Sequence, residues 1–424
     1  MSQRVVITGL GVIAPNGCGI SQFTQAIKDG RSGIRFDQRL QELLFSCQLA
    51  GEPQVPDELI ASCFTPLELR NFKSTGILYG VLAGVEAWRH AGLPEGGETA
   101  DWESGAVFGA GTSGIDKFRE SIYKLDQLQM RKLGSTVVIQ TMLSGITAYL
   151  GGKLGLGNQL TTNSSACITG TESILMGYER IRSGRAQRML CGSTSDSGPY
   201  IWAGFDAMKV CTYRHNESPG SASRPMSMSA SGFVPGAGAG ALLLESLDSA
   251  LERGVPVYGE ILGGHINSGG QRGEGSITAP GSLAVQRCIR EALKDAGIES
   301  AAVDAINAHL TATSRDPDEI FNWAEALNRR GNDFPYISAL KSMTGHCLSG
   351  SASIECVAAV LQLHEGFLFP NLNCEDLHPR IAELVAPEKI PHEFLHKELN
   401  IIAKASFGFG DVNACIIFKK YSTY

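Results

Sequence analysis

Residues 160–184, Leu160-Thr-Thr-Asn-Ser-Ser-Ala-Cys167-Ile-Thr-Gly-Thr-Glu-Ser-Ile-Leu-Met-Gly-Tyr-Glu-Arg-Ile-Arg-Ser-Gly184, change character half way along. The first half is small and β-prone. The second carries Ile168, Ile174, Leu175, Tyr178 and Ile181 near helical spacing and stops at Gly184. The pattern predicts a strand that turns into a helix at Cys167. Residues 341–366 repeat it: a small polar turn, a helix marked by Ile354, Val357, Val360 and Leu361, and a terminal glycine. A unit that recurs in this way constrains the chain to an α/β fold of two similar halves, each a central sheet flanked by helices. The expected division is 1–250 and 251–424.

The other segments fit that scheme. Strands are predicted at 5–17, 105–114, 188–194 and 238–245, and again at 257–264, 303–309 and twice within 399–419. Helices are predicted at 21–30 with Ser21 as N-cap, at 66–90, within 115–150 as a cap-like insertion, and at 284–297. Residues 35–65 read as an irregular surface excursion. Gly9 and Gly11 in the first strand suggest a dinucleotide-binding turn, but position 14 is Ala followed by Pro15, and no ribose-binding acid follows.

Cys167 is the first candidate for chemistry. A thiol at a helix N-terminus feels a partial positive charge that favours thiolate, and Ser164, Ser165, Ala166 and Gly170 leave room for a bulky acyl group. The competing reading is one buried thiol among eleven. Those cysteines show no paired C-x-x-C spacing, and no histidines share a helix at ligand spacing, so neither disulfides nor a metal are expected. The N-terminus lacks a signal peptide's apolar core and no apolar run reaches a bilayer span, so a cytoplasmic protein is expected. A formal net charge of −7 argues against nucleic-acid binding. Local basic pairs stand at Arg70 with Lys73, Lys117 with Arg119, and Arg131 with Lys132.

Four motifs then fall in one order: Ser165-Ala-Cys167, Asn307-Ala-His309-Leu-Thr311, Lys341-Ser-Met-Thr-Gly-His346 and Phe407-Gly-Phe-Gly410. Together with Ser223-Arg-Pro225 and Gly236-Ala-Gly-Ala-Gly240, the chain resembles the β-ketoacyl-carrier-protein synthases, condensing enzymes of the thiolase fold, over nearly its whole length. The resemblance implies a layered αβαβα core and a decarboxylative Claisen condensation. In it Cys167 holds the acyl chain, and His309 and His346 hydrogen-bond the enolate formed when malonyl loses CO₂. Lys341 orients the site and Glu355 is its acidic partner. The backbone N–H groups of Cys167 and Phe409 form the oxyanion hole within a gate of Phe407, Phe409, Gly410 and Asp411. It also implies no bound cofactor, since the acyl groups ride on the phosphopantetheine arm of an acyl carrier protein, and a homodimer or a heterodimer with a chain-length-factor-like homologue. Arg70, Lys73, Arg131 and Lys132 become candidates for carrier docking, and strand 188–194 for pairing across the two-fold. Acyl chain length would be set by pocket residues within 108–150 and 200–210.

The chain departs from the family at several points. Leu310 and Ala312 stand where glycines are usual, and Pro317, with Asp316 and Asp318 on either side, stands where an acid usually follows the first histidine by eight residues. Asp411-Val412 replaces the usual Gly-Thr after the gate, which stiffens that loop. These departures suggest a polyketide or polyene branch ahead of housekeeping fatty-acid synthesis. A non-catalytic chain-length-factor-like subunit is the alternative, but such subunits typically lack the cysteine. A coenzyme A-dependent thiolase would need a second cysteine where Asp411 and Val412 stand, with Cys415 further on inside a strand.

Overall fold

Val5–Ala14 (β1) is buried along its whole length, so both of its edges and both of its faces need partners. The computed structural model, which describes residues 3–422, supplies them. Met1, Ser2, Thr423 and Tyr424, at the outer ends of the two expected halves, lie outside the described residues. In the first half β1 is followed by helices Ile20–Lys28 (α1) and Thr75–His90 (α2), strand Ser104–Ala110 (β2), helices Ile115–Asp126 (α3) and Gly145–Leu154 (α4), strand Leu160–Thr161 (β3), helix Thr169–Arg182 (α5), strand Arg188–Ser195 (β4), helix Pro199–Ala207 (α6) and strand Gly238–Ser246 (β5). The second half holds strand Gly259–Ser268 (β6), helix Ser282–Asp295 (α7), strand Ala305–Asn307 (β7), helix Asp316–Leu327 (α8), strand Tyr336–Ser338 (β8), helix Ser351–Glu365 (α9) and strands Ile401–Gly408 (β9) and Val412–Lys419 (β10).

The strands run in the order β8-β7-β9-β10-β6-β1-β5-β4-β2-β3. Read outward from the middle, β1-β5-β4-β2-β3 and β6-β10-β9-β7-β8 have the same sequence of directions: antiparallel, antiparallel, parallel, parallel. The two five-stranded sets meet where Val5–Ile7 pairs with Gly259–Ile261. α5 and α9 lie between them, and α9 is buried from Ser351 to Leu363. α2 and α4 cover the outer face of the first set, while α7 and α8 cover the second. Three hydrophobic cores fill the four interfaces of this αβαβα stack, one around α5 and α9 and one beneath each outer layer. The internal repeat read in the sequence is thus a repeat of topology.

The glycines of β1 serve packing. A Cβ on Gly9 would lie 2.0 Å from the Ala87 carbonyl oxygen, and one on Gly11 would lie 1.9 Å from that of Ala83, so α2 rests directly on the strand.

Other expectations are corrected. α1 starts at Ile20 with Gly19 as its cap, not Ser21, because the half-buried Glu86 carboxylate already accepts the N–H groups of Ile20 (2.7 Å) and Val12 (2.9 Å). Residues 35–65 are not a loose excursion. Ile34–Phe36 pairs with Leu49–Gly51, two short helices follow at Gln38–Glu42 and Asp57–Ala61, and Leu40, Cys47, Leu49 and Phe64 are buried. The helix expected from residue 66 begins at Thr75, where the Ser74 hydroxyl caps it and Asp196 accepts the Gly76 N–H at 2.6 Å. Lys117 is buried, with its ammonium on the Asn71 carbonyl at 3.2 Å, so it forms no surface pair with Arg119. Finally, β4 has β2 on one side and β5 on the other, so residues 188–194 cannot pair across a two-fold. The open edge of that half is β3.

Candidate active site

Cys167 sits on the 3₁₀ turn Ala166–Ile168, immediately before α5. Ala166 holds φ +48°, a conformation costly for a residue with a Cβ, and Thr169 braces it. The Thr169 hydroxyl donates to the Ala166 carbonyl at 2.6 Å and accepts the Ser165 N–H at 2.9 Å. A strained turn of this kind pushes the thiol out of the helix line toward the site. Burial pushes the thiol up to about 11, while the charge of Lys341 and the Phe409 N–H pull it down by less. That direction opposes the thiolate expected from the helix N-terminus alone.

Two imidazoles close on the sulfur from the other half. His309 follows β7 by two residues. His346 follows the short helix Lys341–Thr344 and Gly345, whose φ of +67° and contact with the Val234 carbonyl oxygen (2.7 Å from a built Cβ) admit only glycine. The rings are 5.6 Å apart at 85°, and one ligand-type atom from each of Cys167, His309 and His346 lies within 4.8 Å of the others. Burial, Lys341 and Lys404 hold both imidazoles well below their usual range, so both are neutral near pH 7. The Leu348 N–H donates to His346 Nδ1 at 3.2 Å, which leaves that proton on Nε2 as a donor toward the site.

The sequence reading noted Asp316 without giving it a role and did not single out Glu319, the group that holds the N–H of His309. The acid sought eight residues after it is Pro317; the working acids are Asp316, one residue earlier, and Glu319. Glu319 accepts the N–H groups of His309 and Leu310, each at 2.7 Å. Asp316 accepts those of Thr311 (3.0 Å), Ala312 (3.1 Å) and Met226 (3.0 Å). Burial raises them to about 7 and about 6 respectively. Allowing a one-residue shortening of the loop would have pointed to Asp316. Leu310 turns into the outer core of the second half, which explains a large residue where glycine is usual. Ala312 does keep a glycine-like φ of +60°. Ala312→Gly is therefore expected to stabilise the protein by about 0.5–1 kcal/mol, raising the calorimetric Tm by about 1–2 °C; a lower Tm would show the strain to be absorbed elsewhere.

Lys341 is buried, with Nζ on the His309 carbonyl oxygen at 2.5 Å and on Glu355 Oε1. The pair expected from the motif spacing thus reaches the site through the backbone of His309. A second buried lysine, Lys404, stands 2.7 Å from Glu355 Oε2. Sulfur and two imidazoles are chemically able to hold a divalent metal, but two ammonium groups sharing one carboxylate repel a dication, so the trio is better suited to anion chemistry.

The trio forms the floor of a cavity of about 900 Å³ whose walls include Phe233, Phe407, Phe409, Thr311 and Thr313, with Lys209, Arg315 and Arg380 further along. From the segments expected to set chain length, its wall takes Lys209 and Val210 and nothing from 108–150. Arg70, Lys73, Arg131 and Lys132 are exposed but do not line it. Cys347 is buried, its Sγ 3.9 Å from the Thr344 carbonyl, and Cys415 lies inside β10, so neither joins the site.

The loop after Phe407 is held by Asp411, which has φ +59°. Its carboxylate accepts the Gln271 and Gly281 N–H groups, both at 2.9 Å, and Gly410 donates to the Ile277 carbonyl at 2.8 Å. The stiffening expected from this residue comes from its side chain more than its backbone. Asp411→Gly keeps the turn and orphans two donors at about 1–3 kcal/mol each. Amide exchange over residues 269–281 should then quicken at least about tenfold; unchanged exchange would mean the loop is held by other contacts.

Two family profiles match the chain. The family profile "Beta-ketoacyl synthase, N-terminal domain" matches residues 2–250, and "Beta-ketoacyl synthase, C-terminal domain" matches 258–375. A 3-oxoacyl-[acyl-carrier-protein] synthase 2 of Synechocystis is 34% identical over 99% of this chain and 98% of its own. Among solved structures, the ishigamide ketosynthase/chain length factor superposes with TM-score 0.87 at 27% identity, covering all of both chains. A type II PKS acyl-carrier protein in complex with its ketosynthase bound to the hexaketide gives TM-score 0.88 at 25% identity, covering 99% of this chain and 100% of that one.

Proposed function

The chain belongs to the β-ketoacyl synthase family, and from that premise we propose that it condenses an acyl chain held on Cys167 with malonyl carried by an acyl carrier protein. The observation that carries this reading is the convergence of one sulfur and two neutral imidazoles on one cavity floor. In the first half-reaction Sγ attacks the incoming thioester, a new C–S bond replaces the old one, and the Cys167 proton ends on the departing phosphopantetheine sulfur. In the second, malonyl loses CO₂ and the negative charge on its thioester oxygen is met by imidazole N–H groups. The enolate carbon then attacks the acyl-Cys167 carbonyl, whose oxyanion faces the N–H groups of Cys167 and Phe409. That attack forms the C–C bond; collapse of the oxyanion then breaks the C–S bond and returns Cys167 as a thiol after one proton is taken up.

Lys341 and Glu355 support this chemistry by fixing His309, with 1–250 and 251–424 as the two contributing halves. The phosphopantetheine arm supplies the only carrier chemistry the reading needs. Departures at Leu310, Ala312 and Asp411 favour a polyketide or polyene substrate, and likeness to a ketosynthase/chain length factor supports that choice. The retained trio weighs against a non-catalytic subunit. Segment 115–143 leaves Phe118, Ile122, Leu125, Leu128, Met130 and Val138 exposed, an apolar face suited to a second subunit, identical or homologous. Arg70, Lys73, Arg131 and Lys132 remain the proposed docking residues for an acidic carrier. No helix among the described residues is long and apolar enough to cross a membrane, in keeping with a cytoplasmic setting. Incubation with acyl- and malonyl-loaded carrier proteins, read by intact mass, should give an acyl adduct on the protein and a β-ketoacyl carrier product. Neither species appearing with any acyl length tested would sink the proposal.

A further inference from the structure

Lys404 belongs to none of the sequence motifs, yet it is wholly buried (0% exposed) at the centre of the second half. It lies in β9 directly opposite Asn307 of β7, two residues before His309. A buried ammonium is costly unless paired. Here its aligned N–H goes to the Ala405 carbonyl at 2.6 Å, and it stands in ion-pair contact with Glu355 Oε2 at 2.7 Å. The other oxygen of the same carboxylate takes Lys341, whose Nζ also holds the His309 carbonyl. One glutamate is therefore shared by two lysines. If Lys341 alone faced Glu355 the buried pair would be formally neutral.

We propose that Lys404 is a positioning residue of the condensing site: it takes up half of Glu355, leaves Lys341 free to anchor the His309 backbone, and keeps one excess positive charge close to both imidazoles. This rests on the condensing activity proposed above. The excess charge has two consequences. It disfavours a proton on His309 and His346, keeping them as neutral N–H donors, and it favours the anion that forms when malonyl loses CO₂. Of the remaining titratable groups around the imidazoles and the lysine, the two carboxylates offset part of that charge as they ionise above about pH 6 to 7, while the thiols stay neutral. These groups are Glu319 on the His309 N–H with Asp316 behind it, the Cys167 thiol, and the buried thiols of Cys347, Cys356 and Cys415.

The test follows the imidazoles directly in the full-length protein labelled with ¹³Cε1-histidine, with His309 and His346 assigned from single variants. Lys404→Met, of similar length and uncharged, should raise the pH at which both rings protonate by about one unit and leave the other seven histidines where they were. Malonyl-carrier decarboxylation should fall about tenfold more at the acid edge than at pH 8, and Lys404→Arg should restore the wild-type profile. Should Lys404→Met fail to fold, Lys404→Gln keeps a donor on Ala405 and tests the same charge. Superimposable titration curves for variant and wild type, whatever the loss of rate, would overturn the proposal and leave Lys404 a structural residue. Shifted curves in a protein that turns over no malonyl carrier would instead retain the electrostatic role and remove the condensing function.

Discussion

Cys167→Ala protein takes up no acyl group from a loaded carrier, and its β-ketoacyl product falls by at least about 1,000-fold, because no other thiol can stand in for the lost one. The remaining ten cysteines either lie in the cores or, like Cys63, stand away from the cavity. Decarboxylation of malonyl carrier, by contrast, survives. The donors for the enolate sit on segments 309 and 346, anchored by Glu319, Lys341 and the Leu348 N–H, none of which touches the Cys167 side chain. Splitting the two half-reactions this way is measured by intact mass for the acyl adduct and by CO₂ release for malonyl. An acyl adduct persisting on Cys167→Ala would move the nucleophile to another residue.

His309→Ala and His346→Ala should do the reverse. Each removes one neutral imidazole beside the developing enolate, and loss of one such donor costs about 100- to 1,000-fold in rate. Malonyl decarboxylation falls by that factor, while iodoacetamide still alkylates Cys167, since the nucleophile's turn is built locally from Ser165, Ala166 and Thr169. The two losses do not multiply in the double variant, because the imidazoles act on one oxygen as a unit. Full-rate decarboxylation in either variant would show that enolate stabilisation does not pass through that ring. His346→Ala also frees the Leu348 N–H and the Ser351 hydroxyl, so a lowered Tm there, absent from His309→Ala, is expected.

What could be read from residues alone was whatever short-range chemistry writes into a local stretch. The helix after Cys167, the repeat at 341–366, and the strands at 105–110 and 401–419 follow from periodicity, which depends on neighbours a few residues away. Cys167, His309, His346, Lys341 and Glu355 were singled out by resemblance because their motifs are contiguous or nearly so, and the structure brings them together. Phe407 to Asp411 was found for the same reason, although the function of its one unusual residue was not.

Tertiary structure decided everything that depends on which distant groups come to share a buried volume. The environment of the Cys167 thiol is one case: a helix N-terminus alone argues for thiolate, and desolvation in the folded chain pushes the other way. Lys404 is another, since nothing near it in the chain hints that it will meet Glu355 forty-nine residues earlier. The same holds for Asp411 reaching Gln271 and Gly281, for Glu86 displacing Ser21 as the partner of α1's first donors, and for β4 being enclosed on both edges. Local sequence fixes dihedral preferences and periodic faces. The energy of a charge or a hydrogen bond is set by the dielectric and the partners around it, and those exist only after the two halves have closed on each other.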